Sequence, residues 1–301
     1  MSLLSVQDLS RDEIEEMVGL AQKIKFNKKK GGAFYADALS DRSYAIIFEL
    51  PSTRTRLSFE LAVSELGGYP ITLNASDMQL GRGESIEDTA RTLGCYVDGI
   101  IARVKDHYTL EYLKKYSGIP VINALSHFEH PCQALGDILT IQECKGELEG
   151  LKVVYVGDWN NVCNSLMIGC TLAGANFTIT CPQKYQRNDF YSRYAVDNKV
   201  KITENPEEAV ANADVVYTDT WVSMGNEAEV IFRMNYFRRY QVNSELMSKA
   251  KPDAIFMHCL PAHRGEEVTD EVIDSKQSVV WRQAENRLHI QKAILLMRCG
   301  R

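Results

Sequence analysis

The sequence has little of what marks the specialised protein classes. Its 8 cysteines are scattered through 301 residues with no paired Cys-x-x-Cys. That is too sparse for a disulfide scaffold, and a reducing cytoplasm is the expected compartment. Basic residues are not in excess: 34 Lys and Arg stand against 40 Asp and Glu, a net charge of −6. This balance argues against a general nucleic-acid binder while leaving room for a local basic pocket. No apolar run reaches the length of a membrane span, and no apolar leader follows a basic N-terminal stretch. The Gly-rich G-x-x-x-x-G-K loop is missing, which disfavours nucleotide hydrolysis. What remains is ordinary, with 45% hydrophobic and 25% charged residues. That is the composition of a soluble globular protein, long enough for one large domain or two of common size, and an enzyme is the leading reading.

Two periodicities alternate along the chain. The opening LSVQDLSRDEIEEMVGLAQKI pairs Ser10 with Glu13, a capping box at the start of an amphipathic helix. Strand-like runs come next at SYAIIFEL, GYPITLN, YVDGIIARV and GIPVINAL, with helix-like stretches between them. A second series runs through LKVVYVGD, ANFTITCP, ADVVYTDT, DAIFMHCLP and SVVWRQ. Apolar strands spaced by helices predict an α/β fold of two domains, each with a central, mostly parallel sheet flanked by helices. The charged, Gly-containing KGELEG reads as the hinge, dividing residues 1–145 from 146–284.

Ligand residues of a parallel sheet lie just past the C-terminal ends of its strands. After the first strand comes PSTRTR, residues 51–56, opening a helix. Ser52 and Thr53 are natural caps, and Arg54 and Arg56 bring charge that a phosphate can use, or that simply decorates the surface. Arg103 closes YVDGIIARV and either snorkels to solvent or adds an anion contact. His130 and Gln133, in SHFEHPCQ, stand near a helix start where both can donate to a carbonyl oxygen. Metal ligation by HFEH is disfavoured, because spacing specifies no third ligand. KVVYVGD is followed by WNN rather than the glycines of a dinucleotide fold, so Asn160 and Asn161 either hold a polar substrate or cap a helix. Asp219 ends another strand, with Ser223 and Gly225 in the polar loop behind it. Cys259 ends an apolar strand; its neighbour His258 must point to the opposite face, so the two form no nucleophile–base couple. Arg287 lies near the start of a C-terminal helix, as surface charge or as a late contribution to an anion site.

In that order, PSTRTR, HPCQ, DTWVSMG and HCLPAHRGEEVTDEV resemble the ornithine carbamoyltransferases of the aspartate/ornithine transcarbamoylase family, over nearly the whole chain. The resemblance implies a carbamoyl phosphate domain, an ornithine domain, and a terminal helix, residues 285–301, packing on the first. By resemblance Ser52, Thr53, Arg54 and Thr55 form the phosphate loop, and Arg103 meets phosphate and carbonyl. His130 and Gln133 contact the carbamoyl group, and Arg287 closes that side. Leu125, Asn161, Asp219, Ser223 and Met224 hold ornithine, while Cys259 and Leu260 approach the reacting amine. Gln79 is lent to a neighbouring subunit within a homotrimer that shares its sites and in some members assembles further. The implied catalytic set is Arg54, Arg103, His130, Asp219 and Cys259. No metal or organic cofactor is implied, and neither nucleic acid nor membrane is a partner. Two residues depart from the pattern. His127 stands where the family has an aspartate, which bears on the hydrogen bonds around His130. Trp159 replaces a smaller or charged residue, and is expected to narrow the entrance or meet a neighbouring subunit. Transfer to aspartate, putrescine or an acylated ornithine is the rival reading, and DTWVSMG favours ornithine.

Overall fold

The first long helix, α1 (Arg11–Lys29), starts where the sequence says it should. Ser10 accepts from the Glu13 N–H and the Glu13 carboxylate accepts from the Ser10 N–H. The computed structural model describes residues 1–30, 35–78, 83–187, 189–198, 200–222 and 230–300. Its contacts divide the chain into two units, Met1–Leu139 with Glu285–Arg301, and Thr140–Ala284.

In the first unit β1 (Ser43–Phe48), α2 (Thr53–Glu65), β2 (Tyr69–Asn74), α3 (Ile86–Tyr96), β3 (Gly99–Arg103), α4 (His107–Ser117), β4 (Val121–Leu125) and α5 (Pro131–Lys145) succeed one another. All strand pairs are parallel and the order is β2-β1-β3-β4. Central strands β1 and β3 are buried along nearly their whole length, as their apolar runs require. GYPITLN is less buried than a central strand because β2 is an edge. The opposite edge, β4, is covered by the N-terminal segment. Leu3 donates to the Val121 carbonyl at 2.9 Å and accepts from the Asn123 N–H at 2.9 Å, which removes an exposed pairing edge.

The second unit contains β5 (Lys152–Val156), α6 (Asn161–Leu172), β6 (Asn176–Thr180), α7 (Phe190–Asp197), β7 (Lys201–Thr203) and α8 (Pro206–Val210). It continues through β8 (Val215–Thr218), α9 (Val230–Phe237), α10 (Ser244–Met247), β9 (Ile255–His258) and α11 (Asp270–Ile273). Its sheet is also parallel, in the order β7-β6-β5-β8-β9. The core gathers Val154, Val156, Val216 and Phe256 against Trp221 and Phe237.

One expected strand is a helix. In SVVWRQ only Ser278 bridges to Phe256, and from Val280 the chain forms α12 (Val280–Cys299). A three-residue apolar run does not distinguish a strand from a helix start, and the residues after it are good helix formers. From Glu285 onward this helix belongs with the first unit. Lys25 bonds Asn286 at 2.6 Å and pairs with Glu285 at 3.2 Å, Lys292 pairs with Glu65, and Arg298 meets Glu13 at 2.7 Å. Buried cations held this way oppose detachment, because losing one partner strands the other charge.

Candidate active site

Both sheets reverse their strand order at one place, and ligand residues collect at such places. In the first unit it lies between β1 and β3. The β1 end runs into the start of α2, where the Ser52 side chain caps the helix by accepting from the Thr55 N–H at 3.3 Å. The first N–H groups of a helix lack intrahelical acceptors, so this end favours an anion. Thr53 and Arg54 are exposed, Ser52 is half-buried and Thr55 is buried. Arg56 does not join them. It pairs with Glu60 at 3.0 Å, and Glu60 also accepts from Thr72.

Arg103 ends β3 beside Phe48 and is only 6% exposed. The β3–β4 register shifts between Ala102 and Arg103, bringing Arg103 opposite Leu125. Such an irregularity re-aims the side chain at a strand end. Pro131 is the first residue of α5, a favoured place for proline. The preceding His130 carbonyl accepts from the Gln133 and Ala134 N–H groups, which holds the ring at the helix start. Burial first, then the charges of Arg287 and Arg103, depress the His130 pKa well below the usual imidazole value. At neutral pH the ring is therefore uncharged and can donate one N–H to a carbonyl oxygen. Gln133 stands between two charges, donating to Asp137 at 2.7 Å and accepting from Arg287.

The loop before His130 is tied elsewhere. His127 Nδ1 lies 2.8 Å from the Lys105 carbonyl and 3.2 Å from the His107 N–H. Buried Glu129 accepts from Ser5 Oγ at 2.5 Å and the Val6 N–H at 3.0 Å.

In the second unit the reversal lies between β5 and β8. Gly157 leaves β5 at φ +124°, a conformation that a side chain would strain. Asn160 caps α6, and its Nδ2 donates to Asp219 Oδ2 at 2.7 Å across the reversal. Asp219 Oδ1 accepts from the Thr220 N–H at 2.8 Å and from Cys259 Sγ at 3.0 Å. Asn161 begins α6 and its carboxamide oxygen accepts from the Val162 N–H. Leu260 follows Cys259 at φ +59°, a left-handed conformation that leucine rarely adopts. It is held there by its N–H, which donates to His258 Nδ1 at 2.9 Å, while His258 Nε2 meets Glu267 at 3.0 Å. The His258 ring thus supports the loop and the Cys259 thiol serves Asp219. Trp159 is buried and donates to Asn164 at 2.9 Å. Little of the ring is left exposed to meet a neighbouring subunit. Asp158 pairs with Arg233 at 3.0 Å, anchoring α9.

The structure thus brings Arg103, Leu125, His130, Gln133 and Arg287 into the first unit's set, and Asp219 and Cys259 into the second's. Gln79, Ser223 and Met224 lie outside the described residues. Sequence reasoning missed Asp137 and left Asn160 open between holding a substrate and capping. The signal for Asp137 was its spacing of four from Gln133, one helical turn.

The fold and site define a two-unit α/β protein of parallel sheets, one with a cationic, anion-directed set at its reversal and the other with a carboxylate–thiol pair at its own. Family models agree with this division. The carbamoyl-P binding domain of aspartate/ornithine carbamoyltransferase matches residues 1–143, and the Asp/Orn binding domain matches residues 149–298. The chain belongs to the aspartate/ornithine carbamoyltransferase family. It is 52% identical over 304 residues to an ornithine carbamoyltransferase of Thermococcus kodakarensis, covering 99% of this chain and 96% of the relative. A Methanosarcina mazei ornithine carbamoyltransferase is 52% identical over 296 residues, covering 98% and 97%. Among solved structures, ornithine carbamoyltransferase from Pyrococcus furiosus is 51% identical, with a TM-score of 0.94 and coverage of 99% and 96%. The one from Thermus thermophilus is 37% identical with a TM-score of 0.91, covering 99% of each chain.

Proposed function

We infer that the protein transfers the carbamoyl group of carbamoyl phosphate to the δ-amino group of L-ornithine, giving L-citrulline and phosphate. The observation that carries this reading is the 52% identity to ornithine carbamoyltransferases across 98–99% of the chain. The geometry supplies a chemical route. The start of α2, with Ser52, Thr53, Arg54 and Thr55, receives the phosphate. Arg103, Arg287 and the uncharged His130 face the carbamoyl end. The neutral amine attacks the carbonyl carbon, and the C–O bond to phosphate breaks as the tetrahedral centre collapses. Arg103 and His130 stabilise the oxygen that becomes negative, where fixed donors count most. Gln133 keeps Arg287 directed by binding it on one side and Asp137 on the other. Asp219 and Cys259 hold ornithine with Asn161, Ser223, Met224 and Leu260, and Leu125 lines the same site. An alkyl amine has an ordinary pKa of about 10, so the enzyme must bind or generate the uncharged form. The leaving phosphate can take the proton that the attacking nitrogen loses.

Carbamoylation of ornithine, putrescine and aspartate at equal concentration, followed by amine-dependent phosphate release, tests the reading. Ornithine is expected to win by kcat/KM; a better diamine or aspartate would overturn the substrate, and no carbamoyl transfer at all would overturn the activity. The proposal extends to a homotrimer sharing its sites, with Gln79 lent to the neighbour. It is supported by SDMQLGRGES and checked by a native mass three times the 34.0 kDa protomer. A cytoplasmic location is supported by the eight cysteines, all of them thiols, and recovery of the protein outside the cytoplasmic fraction would refute it.

A further inference from the structure

Asn160 does more than cap a helix. Its Oδ1 accepts from the Val162 N–H at 3.0 Å, the Cys163 N–H at 3.1 Å and the Tyr155 hydroxyl at 3.1 Å. An amide nitrogen in that place would meet three donors, so the orientation of the carboxamide is decided by its surroundings. Nδ2 is thereby the atom that faces Asp219 Oδ2, at 2.7 Å. With Oδ2 engaged, Asp219 turns Oδ1 to the Thr220 N–H and the Cys259 thiol. Tyr155 is itself fixed. It is fully buried and stacked on Tyr217, with centroids 5.6 Å apart and planes at 18°. The Tyr217 hydroxyl accepts from Gln283, whose Oε1 accepts from the His258 N–H. One buried hydrogen-bonded and stacked array therefore runs from the Asp219 carboxylate to the end of β9, which Cys259 follows.

We propose that Asn160, oriented by Tyr155, is a positioning residue for Asp219, fixing which carboxylate oxygen is offered to the substrate's amine side and which to Cys259. The inference rests on the ornithine reading and deepens it. Asn160 and Tyr155 act through Asp219. Among the described residues, the ionisable groups around that carboxylate are His258 at the end of β9, Cys259 just past it, Tyr155 from β5 and Cys163 from α6, and the His258 ring is already engaged by Glu267 and the Leu260 N–H.

The test is Asn160→Asp, with Tyr155→Phe as the second variant. Aspartate caps a helix as well as asparagine does, so α6 keeps its start. The carboxylate it brings, however, meets Asp219 where the amide donated. Two carboxylates in contact share a proton, so the acid limb of the pH profile of kcat/KM for ornithine should move to higher pH. We expect the KM for ornithine to rise about tenfold in N160D, near the lower end for losing a hydrogen bond to a charged group, and about threefold in Y155F, within the range for a bond between neutral groups. The KM for carbamoyl phosphate should stay within about twofold of wild type, since the residues assigned to that substrate are untouched. An unmoved ornithine KM and acid limb in N160D would overturn the proposal. So would equal losses for both substrates that track a fall in Tm, which is what a purely structural cap produces. A wild-type protein that makes no citrulline overturns the ornithine reading itself, which separates the two failures.

Discussion

The two strand-order reversals present opposite electrostatics. In the first unit two buried guanidiniums, Arg103 and Arg287, flank an imidazole that their charge and its burial keep neutral. In the second a buried carboxylate, Asp219, is held by an amide, a backbone N–H and a thiol. On the proposed reading the first set meets an anion and a polarised carbonyl, and the second an amine. The difference also lies in how rigidity is achieved. Arg103 is aimed by a register shift in the sheet, and Arg287 by the polar chain through Gln133 to Asp137. Asp219 is aimed by a hydrogen-bonded cap on the adjacent helix. One fold plan thus serves two charge types by changing the residues just past its strand ends.

The sharpest way to break the comparison is to neutralise each side in turn. Arg103→Met keeps much of the buried stem and removes the charge. It should lower kcat/KM for carbamoyl phosphate by about 10³-fold, at the upper end for loss of a donor to a developing oxyanion. Steady-state kinetics within tenfold of wild type would remove Arg103 from that role. Asp219→Asn should cost less, about 10²-fold in kcat/KM for ornithine, because a neutral hydrogen bond replaces a charge-assisted one. Carbamoyl phosphate binding, measured by calorimetry, should not change. A parallel loss of that binding would show the two sets to be inseparable.

The smallest effect concerns stability rather than chemistry. His289 on α12 is buried, which lowers its pKa to about 4 despite Glu285 nearby. The folded chain therefore binds this proton more weakly than the unfolded chain does. Its contribution to stability is full above about pH 6.5, the ordinary histidine value, and is lost as pH falls toward 4. Melting temperatures between pH 7 and 4.5 should fall less steeply in His289→Gln than in wild type; identical slopes would exclude His289 as a source of acid sensitivity.

Much of this was legible in the sequence, and for a physical reason. The buried strands are continuous apolar runs and the motifs sit at their ends, so SYAIIFEL–PSTRTR and VVYTDT announce both element and position. What stayed hidden depends on tertiary contacts. The shift at Ala102–Arg103 arises from pairing between β3 and β4 and leaves no mark in GIIAR. Asn160 and Asn161 are adjacent and chemically identical, and only the fold decides that the first reaches Asp219 while the second turns to its neighbour's N–H. The partner of Trp159, Asn164, becomes visible only once α6 is formed. The three-residue β7 is too short and polar to carry a strand pattern.

Glu129 gives the amino-terminal residues an unexpected reach. Its two oxygens are satisfied from Ser5 and Val6, 124 and 123 positions earlier, and the next residue is His130. A substitution at Ser5 therefore acts one residue from the imidazole assigned to the carbamoyl oxygen.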